Sequence, residues 1–149
     1  MAGIQHQGLS FESKYSGGSL EGDFPRHMHE EYELYYFLEG DAEYVVGENV
    51  YPLAPYTLLL IRPAVYHFPI FRSDAPYRRL VMNFTEENVP KELLPALSEV
   101  GVCRRIPPAG RLAHLLSDAE SAAQRYTEED AFLALSRILG LILLELKYE

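Results

Sequence analysis

Two histidine-bearing stretches decide the fold of this chain: His27-Met-His29-Glu-Glu-Tyr-Glu33-Leu-Tyr35-Tyr-Phe37-Leu-Glu-Gly40 and Leu58-Leu-Leu-Ile-Arg-Pro63-Ala-Val-Tyr-His67. Together they supply three imidazoles and a carboxylate, which are ligands that divalent transition metals prefer. Even spacings separate His27, His29 and Glu33, so an extended chain would turn all three side chains toward one face. His67 would complete the set from a neighbouring strand. Two interpretations stay open: a metal site, or histidines that bond backbone carbonyls and line a wet cavity.

Composition predicts one folded domain. The chain has 149 residues, 48% of them apolar, with 11 Tyr and 7 Phe, which is enough to build a hydrophobic core. A net charge of −9 argues against binding a phosphate backbone by itself. The single cysteine, Cys103, excludes an intrachain disulfide and is typical of a reducing compartment. With no visible signal peptide and no apolar run long enough for a bilayer, we expect a soluble cytoplasmic protein.

The first part of the chain has the pattern of a β protein. Short apolar runs alternate with turn residues, and together they predict seven or eight strands in a sandwich or barrel. The runs cover residues 9–15, 32–38, 42–46, 50–53, 57–62, 66–71 and 77–84.

After residue 88 the pattern becomes helical. Pro90 favours a short helix over 91–100, and apolar residues at three- and four-residue steps predict an amphipathic helix over 112–126. Thr127 is a suitable N-cap for a last helix over 128–147. The final third of that helix is apolar nearly all round, which indicates a partner surface. The expected organisation is a β domain over 1–88, with an N-terminal arm, and a helical region over 89–149 packed on it.

The two quoted stretches resemble the two cupin motifs. His27-x-His29, Glu33 and Gly40 have the internal spacing of the first motif, and Pro63-Ala-Val-Tyr-His67 resembles the second. More closely, the run from Tyr32 to Gly40, the segments around residues 50–53 and 58–63, and Tyr77-Arg-Arg-Leu-Val resemble the N-terminal sensor domain of AraC-family transcription regulators. That resemblance covers about residues 20–85 directly.

The resemblance implies a mainly β fold, a cupin-type double-stranded β-helix barrel followed by two or three helices. It further implies a non-enzymatic ligand-sensing and dimerisation domain, with homodimer contacts in the C-terminal helices and no membrane partner. A small effector, such as a sugar, would bind in the barrel, and DNA would be bound by a C-terminal domain absent from this chain. The expected effector-binding residues are His27, His29, Glu33, Tyr35, Phe37 and His67.

The same resemblance leaves room for a metal and for a different class of protein. His27, His29, Glu33 and His67 could hold a divalent transition metal such as Zn, Ni, Mn or Fe. The alternative function is a small stand-alone metal-dependent cupin enzyme, an isomerase or a dioxygenase.

Two turns depart from the family pattern. Pro55-Tyr56-Thr57 stands where members usually have Pro-Gly-Asp, and Ala64 or Val65 replaces the glycine of the second motif. Because both replacements remove a glycine, we expect the geometry of these two turns, but not the fold, to differ from the family pattern.

Overall fold

The structure, a computed structural model, describes residues 3–17 and 27–148. The described part is mainly β with helices toward the C-terminus. Its strands are β1 Gly3–His6, β2 Leu9–Ser16, β3 Tyr32–Glu39, β4 Ala42–Val46, β5 Asn49–Pro52, β6 Thr57–Ile61, β7 His67–Phe71, β8 Tyr77–Phe84 and β9 Cys103–Arg105. Its helices are α1 Ala96–Glu99, α2 Arg111–Arg125 and α3 Glu128–Lys147.

The strands form two antiparallel sheets. The larger sheet has the order β1-β2-β8-β3-β6-β9, and the smaller has the order β5-β4-β7. The expected class, a mainly β cupin-type fold with C-terminal helices, is confirmed, but the barrel is not closed. The two sheets face each other as a sandwich, and an isolated bridge between His27 and His67 extends the smaller sheet.

Each face of the large sheet is covered by a different layer. Leu34, Tyr36 and Leu80 belong to the face that packs on the helices, together with Leu139 and Leu143 of α3. The alternating residues of β3 point the other way, because side chains alternate along a strand. Tyr35 and Phe37 therefore pack against the small sheet, in a second apolar cluster with Tyr77 of β8 and with Tyr44 and Val46 of β4.

The helical part differs from the sequence expectation in two places. The helix expected over 91–100 is instead a 3-10 turn, Lys91–Leu93, and the four-residue α1. The interruption falls at Pro95, which has no backbone N–H to continue a helix. Strand β9 also lies within the region expected to be helical, where it pairs with β6 at the edge of the large sheet.

Helix α3 has the predicted bounds, and α2 begins and ends one residue before the predicted 112–126. Thr127 occupies the N-cap position of α3 but makes no side-chain capping hydrogen bond, and its carbonyl accepts from the Ala131 N–H at 2.7 Å. One face of α3 is buried, whereas Leu133, Leu141 and Leu144 are 39–49% exposed. In the part of the chain that the structure describes, every helix is too short or too polar to cross a membrane.

Candidate metal and ligand site

The four predicted ligands converge although they come from different local structures. Glu33 lies on β3 and His67 begins β7, whereas His27 and His29 precede β3 outside any regular strand. Two backbone hydrogen bonds, of 2.9 and 3.3 Å, join His27 to His67. The Ala64 N–H donates to the carbonyl of His29 at 2.9 Å, which fixes the loop that carries this second imidazole.

One potential ligand atom from each of the four residues lies within 4.8 Å of the others. Nε2 of His29 is 3.1 Å from Glu33 Oε1, and Nε2 of His67 is 3.5 Å from the same oxygen. The rings of His27 and His67 approach to 4.0 Å between centroids. Burial increases across the cluster, because His27 is exposed while Glu33 and His67 are 4% and 1% exposed.

Backbone carbonyls fix the protonation of two imidazoles. His67 Nδ1 lies 2.8 Å from the Val65 carbonyl, and His29 Nδ1 lies 3.0 Å from the Glu31 carbonyl. Because a carbonyl only accepts, each Nδ1 must carry a proton, and in a neutral ring the lone pair is on Nε2. Histidines that bind metals usually have this arrangement, with the other ring nitrogen donating to a carbonyl.

The short contacts between Glu33 and the two Nε2 atoms need a proton or a metal ion. A lone pair on Nε2 cannot stand beside the carboxylate of Glu33 unless a proton or a metal ion lies between them. His67 Nε2 is buried and makes no well-aligned hydrogen bond within residues 3–17 and 27–148. Such an orphaned nitrogen and this donor set fit a divalent transition metal.

The same contacts shift the acid–base behaviour of the cluster. Burial opposes ionisation of Glu33, but the interactions with His29 and His67 outweigh it and lower the pKa of this carboxyl to about 2. The hydrogen bond to Glu33 raises the pKa of His29, against the effect of burial. Glu33 is therefore an anion whose charge is matched within the cluster.

A cavity of about 160 Å³ adjoins the cluster, between the two sheets. Of the predicted site residues, His27, His29, Glu33 and Tyr35 line it. His67 and Phe37 do not line it: both are fully buried, and the ring of Phe37 lies 6.2 Å from that of Tyr77. The lining also contains residues that sequence reasoning missed, namely Ser10, Glu12, Lys14, Tyr44, Pro69, Tyr77, Arg79, Val81 and Asn83.

The tyrosines of the cavity are neutral hydrogen-bonding groups. The hydroxyls of Tyr35 and Tyr77 bond each other directly. Burial raises the pKa of Tyr77 to about 12 and holds the pKa values of Tyr35 and Tyr44 well above the usual 10. All three hydroxyls therefore keep their protons at neutral pH.

Fold and site together define a cupin-type sandwich with a polar cavity beside a potential metal-binding cluster. The profile of the AraC-like ligand-binding domain matches residues 14–142, so the chain belongs to that family. A search of curated proteins by sequence finds no match.

Several solved structures share part of the fold. A conserved protein of unknown function from Streptococcus pyogenes is 18% identical, with 55% of this chain and 68% of that chain covered and a TM-score of 0.46. A cupin protein from Bacteroides fragilis is 20% identical, with 54% and 68% covered and a TM-score of 0.45. The DMSP lyase DddQ from Ruegeria pomeroyi is 25% identical, but only 53% of this chain and 39% of that chain are covered, at a TM-score of 0.45.

Proposed function

We propose that this chain is the sensor domain of a transcription regulator and that its effector binds in the cavity beside His27, His29, Glu33 and His67. The observation that carries the proposal is the convergence of these four side chains next to a polar cavity, which His27, His29 and Glu33 line, in a member of the AraC-like ligand-binding domain family. The cavity is smaller than the roughly 300–1,000 Å³ of drug-sized ligand sites, so the effector is a small metabolite.

His27, His29, Glu33 and His67 would hold a divalent metal such as Zn, Ni, Mn or Fe. An ion bound there would act as a Lewis acid that anchors an oxygen atom of the effector. The protein supplies the fixed imidazole orientations, because the carbonyls of Val65 and Glu31 hold the Nδ1 atoms of His67 and His29. The neutral hydroxyls of Tyr35 and Tyr77 offer hydrogen bonds to the rest of the ligand.

Strands β2 and β8 connect the cavity to the helices. Arg79 lines the cavity, while the adjacent Arg78 points to the other face, where its Nη2 donates to both carboxylate oxygens of Glu120 on α2 at 3.0 and 3.1 Å. Ser13 on β2 donates to the same carboxylate. A ligand that binds one arrangement of these strands more tightly than another therefore biases the position of α2.

The exposed face of α3 is the proposed homodimer contact. Leu133, Leu141 and Leu144 form an apolar stripe on this helix, and Leu141 and Leu144 line a groove of about 960 Å³ with Val89 and Leu93. A second copy of the chain would cover this stripe. The attached DNA-binding domain would follow beyond residue 149, and the regulator would act in the cytoplasm.

Leu141→Glu tests the dimer. Sedimentation equilibrium should show a dimer for the unchanged protein and a monomer for the variant, because a buried unpaired carboxylate is costly. Val50→Glu is the matched control, since Val50 is 52% exposed on the small sheet. A monomeric unchanged protein, or a Leu141→Glu variant that still dimerises, contradicts this contact.

Metal uptake tests the site. After equilibrium dialysis against Zn²⁺, Ni²⁺, Mn²⁺ or Fe²⁺, elemental analysis should find one ion per chain. Glu33→Gln keeps the size of the side chain but removes the charge, so the affinity should fall. Glu43→Gln is a matched control, because Glu43 pairs with Arg72 and is not one of the four ligands of the cluster. Equal uptake by Glu33→Gln and the unchanged protein would place the metal elsewhere.

The metal-dependent enzyme remains the second candidate, because a four-ligand cluster beside an accessible cavity is also suited to catalysis. Turnover of a small substrate by the metal-loaded chain, abolished in His67→Ala, would favour it. A small molecule that raises the Tm of the chain and is recovered chemically unchanged would favour the sensor function.

A further inference from the structure

A buried hydrogen-bond acceptor without a partner lies beside the His–Glu cluster. It is Oδ1 of Asn83 on β8, which is buried and makes no hydrogen bond in the described part of the chain. Asn83 lies opposite Glu33 of β3 and opposite Ser10 of β2, and all three side chains line the cavity. Directly opposed residues of antiparallel strands have Cβ atoms about 4.5–5.5 Å apart. The Asn83 amide is therefore a close neighbour of the Glu33 side chain.

Asn83 also lies where the cavity meets a second, larger space. A polar groove of about 550 Å³ runs along β1 and past Glu31. Asn83, Ser10 and Glu12 line both this groove and the cavity of about 160 Å³. A ligand that moves from the groove into the cavity therefore passes Asn83 on its way to the cluster.

The surroundings of Asn83 do not provide the missing donor. The carboxylates of Glu33 and Glu12 only accept hydrogen bonds, and the Ser10 hydroxyl does not donate to Asn83. Asparagine is also disfavoured in strands, so local preference does not explain its place on β8. Buried acceptors in native proteins are nearly always paired, with protein or with a bound molecule. A donor on the molecule that occupies the cavity would satisfy Oδ1.

A hydroxyl group suits this position better than an ether or a ketone. Its oxygen can bind at the cluster while its hydrogen donates to Asn83. Water can satisfy the same acceptor, and a ligand hydroxyl that displaces the water keeps the bond. An ether or ketone that displaces the water leaves Oδ1 unpaired, which lowers the affinity by about 5- to 150-fold.

We propose that Asn83 is a specificity-determining residue of the effector site and that the effector is a small hydroxy compound whose hydroxyl group donates to Asn83 Oδ1. This inference rests on the proposed sensor function and specifies the group by which the ligand is recognised. Because Asn83 and Glu33 lie opposite each other on adjacent strands, one α-hydroxy carbonyl unit or one vicinal diol reaches from the cluster to Asn83. Such a unit is small enough for the cavity of about 160 Å³.

Matched hydroxy and methoxy compounds test the proposal on the unchanged protein. In calorimetric titrations of the Ni²⁺-loaded chain, hydroxyacetone should bind about 5- to 150-fold more tightly than methoxyacetone, and glycolate should likewise bind more tightly than methoxyacetate. Each methoxy compound keeps every oxygen atom but replaces the donor hydrogen with a methyl group. Equal binding within the pairs overturns the proposal, and so does the absence of binding by both hydroxy compounds.

Variants of Asn83 assign the preference to its side chain. Asn83→Leu has a similar size but no acceptor, so it should lose the hydroxy preference, whereas Asn83→Asp keeps an acceptor and should retain it. Comparing the preferences of two chains removes the effects of the methyl group and of metal chelation that both chains share. Asn49→Leu is the matched control, because Asn49 is exposed at the start of β5 and lies outside the cavity lining. An Asn83→Leu variant with the full preference refutes the role of Asn83.

Thermal stability separates ligand recognition from a structural role. Asn83→Leu removes an unpaired buried acceptor, so the Tm of the metal-free variant should equal or exceed that of the unchanged protein. A clear fall in Tm would show that Asn83 stabilises the fold instead, and the proposal would be wrong.

Two outcomes distinguish failure of this inference from failure of the sensor function. If the unchanged protein takes up one metal ion per chain but shows no hydroxy preference, only the Asn83 inference fails. If hydroxyacetone binds with the expected preference but is recovered as a different compound, the role of Asn83 stands and the sensor function fails.

Discussion

Replacing His67 with leucine separates the metal contribution to stability from the structural one. Without metal, the change removes the bond from Nδ1 to the Val65 carbonyl and the contact with Glu33, together about 1–2 kcal/mol, and also removes a buried nitrogen that costs about 1–3 kcal/mol when unsatisfied. His29 still bonds Glu33. Because these effects oppose each other, the metal-free free energy of unfolding should change by about 1 kcal/mol or less, or roughly 2–4 °C in Tm.

Metal should stabilise the unchanged protein far more. An ion present at one hundred times its Kd stabilises a native state that alone binds it by about 2.7 kcal/mol. For a domain of this size that corresponds to a Tm rise of roughly 5–10 °C. His67→Leu removes one of four ligands, so most of this rise should disappear.

Scanning calorimetry with Zn²⁺ and with a chelator measures both quantities. His114→Leu is the control, because His114 is an imidazole on the exposed face of α2, outside the cluster. A full Zn²⁺-dependent rise in His67→Leu would refute the assignment of the metal to this cluster. Loss of the rise in His114→Leu would indicate binding on the surface.

Three further substitutions should change the free energy of unfolding in urea. Ala64→Gly should stabilise the chain by up to about 1 kcal/mol. Ala64 has φ +61°, a conformation that costs alanine about 1–2 kcal/mol, whereas the greater freedom of glycine in the unfolded state costs only about 0.4–1 kcal/mol. A loss of stability would show that the Ala64 backbone is not strained. Glu120→Ala should destabilise by about 1 kcal/mol through loss of the Ser13 and Arg78 bonds, whereas the exposed Asp118→Ala should have no such effect. Gly140→Ala should stabilise α3 by up to about 1 kcal/mol, because alanine has a higher helix propensity than glycine and the added Cβ meets only Pro90, at 3.5 Å. A lower free energy of unfolding would mean that Pro90 cannot accommodate the added methyl group.

The elements with strong local signals could be predicted from the sequence. Strands β2 to β8 lie between turn residues, and α2 and α3 have a clear helical period, so their bounds agree with the structure within about two residues. Strands β1 and β9 lack such signals. β1 depends on the two-residue turn Gln7-Gly8, whose residues have φ +47° and +82°, and β9 depends on pairing with the distant β6.

The sequence identified the four possible metal ligands, but the reason given for their convergence is only partly correct. The sequence argument placed His27, His29 and Glu33 on one extended strand, but residues 28–31 form no strand and β3 begins at Tyr32. The histidines converge through longer-range contacts, namely the bridge from His27 to His67 and the bond from Ala64 to His29. Spacing in the sequence cannot encode these pairings.

The buried Arg79 had no local signal at all. On β8, Leu80, Met82 and Phe84 identify an apolar face, which assigns Arg79 to the opposite, polar face. An alternating strand normally exposes that face to solvent. Here the small sheet covers part of it, so Arg79 is buried beside Tyr77. Only the packing of two sheets distinguishes a cavity arginine from a surface one.

The two altered turns show how long-range contacts replace a local preference. Tyr56 and Ala64 have φ +73° and +61°, the left-handed conformation that glycine favours. Tyr56 is held by a 2.8 Å bond from its N–H to the Phe37 carbonyl and a 2.9 Å bond from Ile106 to its own carbonyl. Ala64 is held by its bond to His29. Strain of this kind persists only where surrounding contacts determine the backbone. Since the Ala64 contact also fixes the loop of His29, the strained turn and the ligand cluster are parts of one structure.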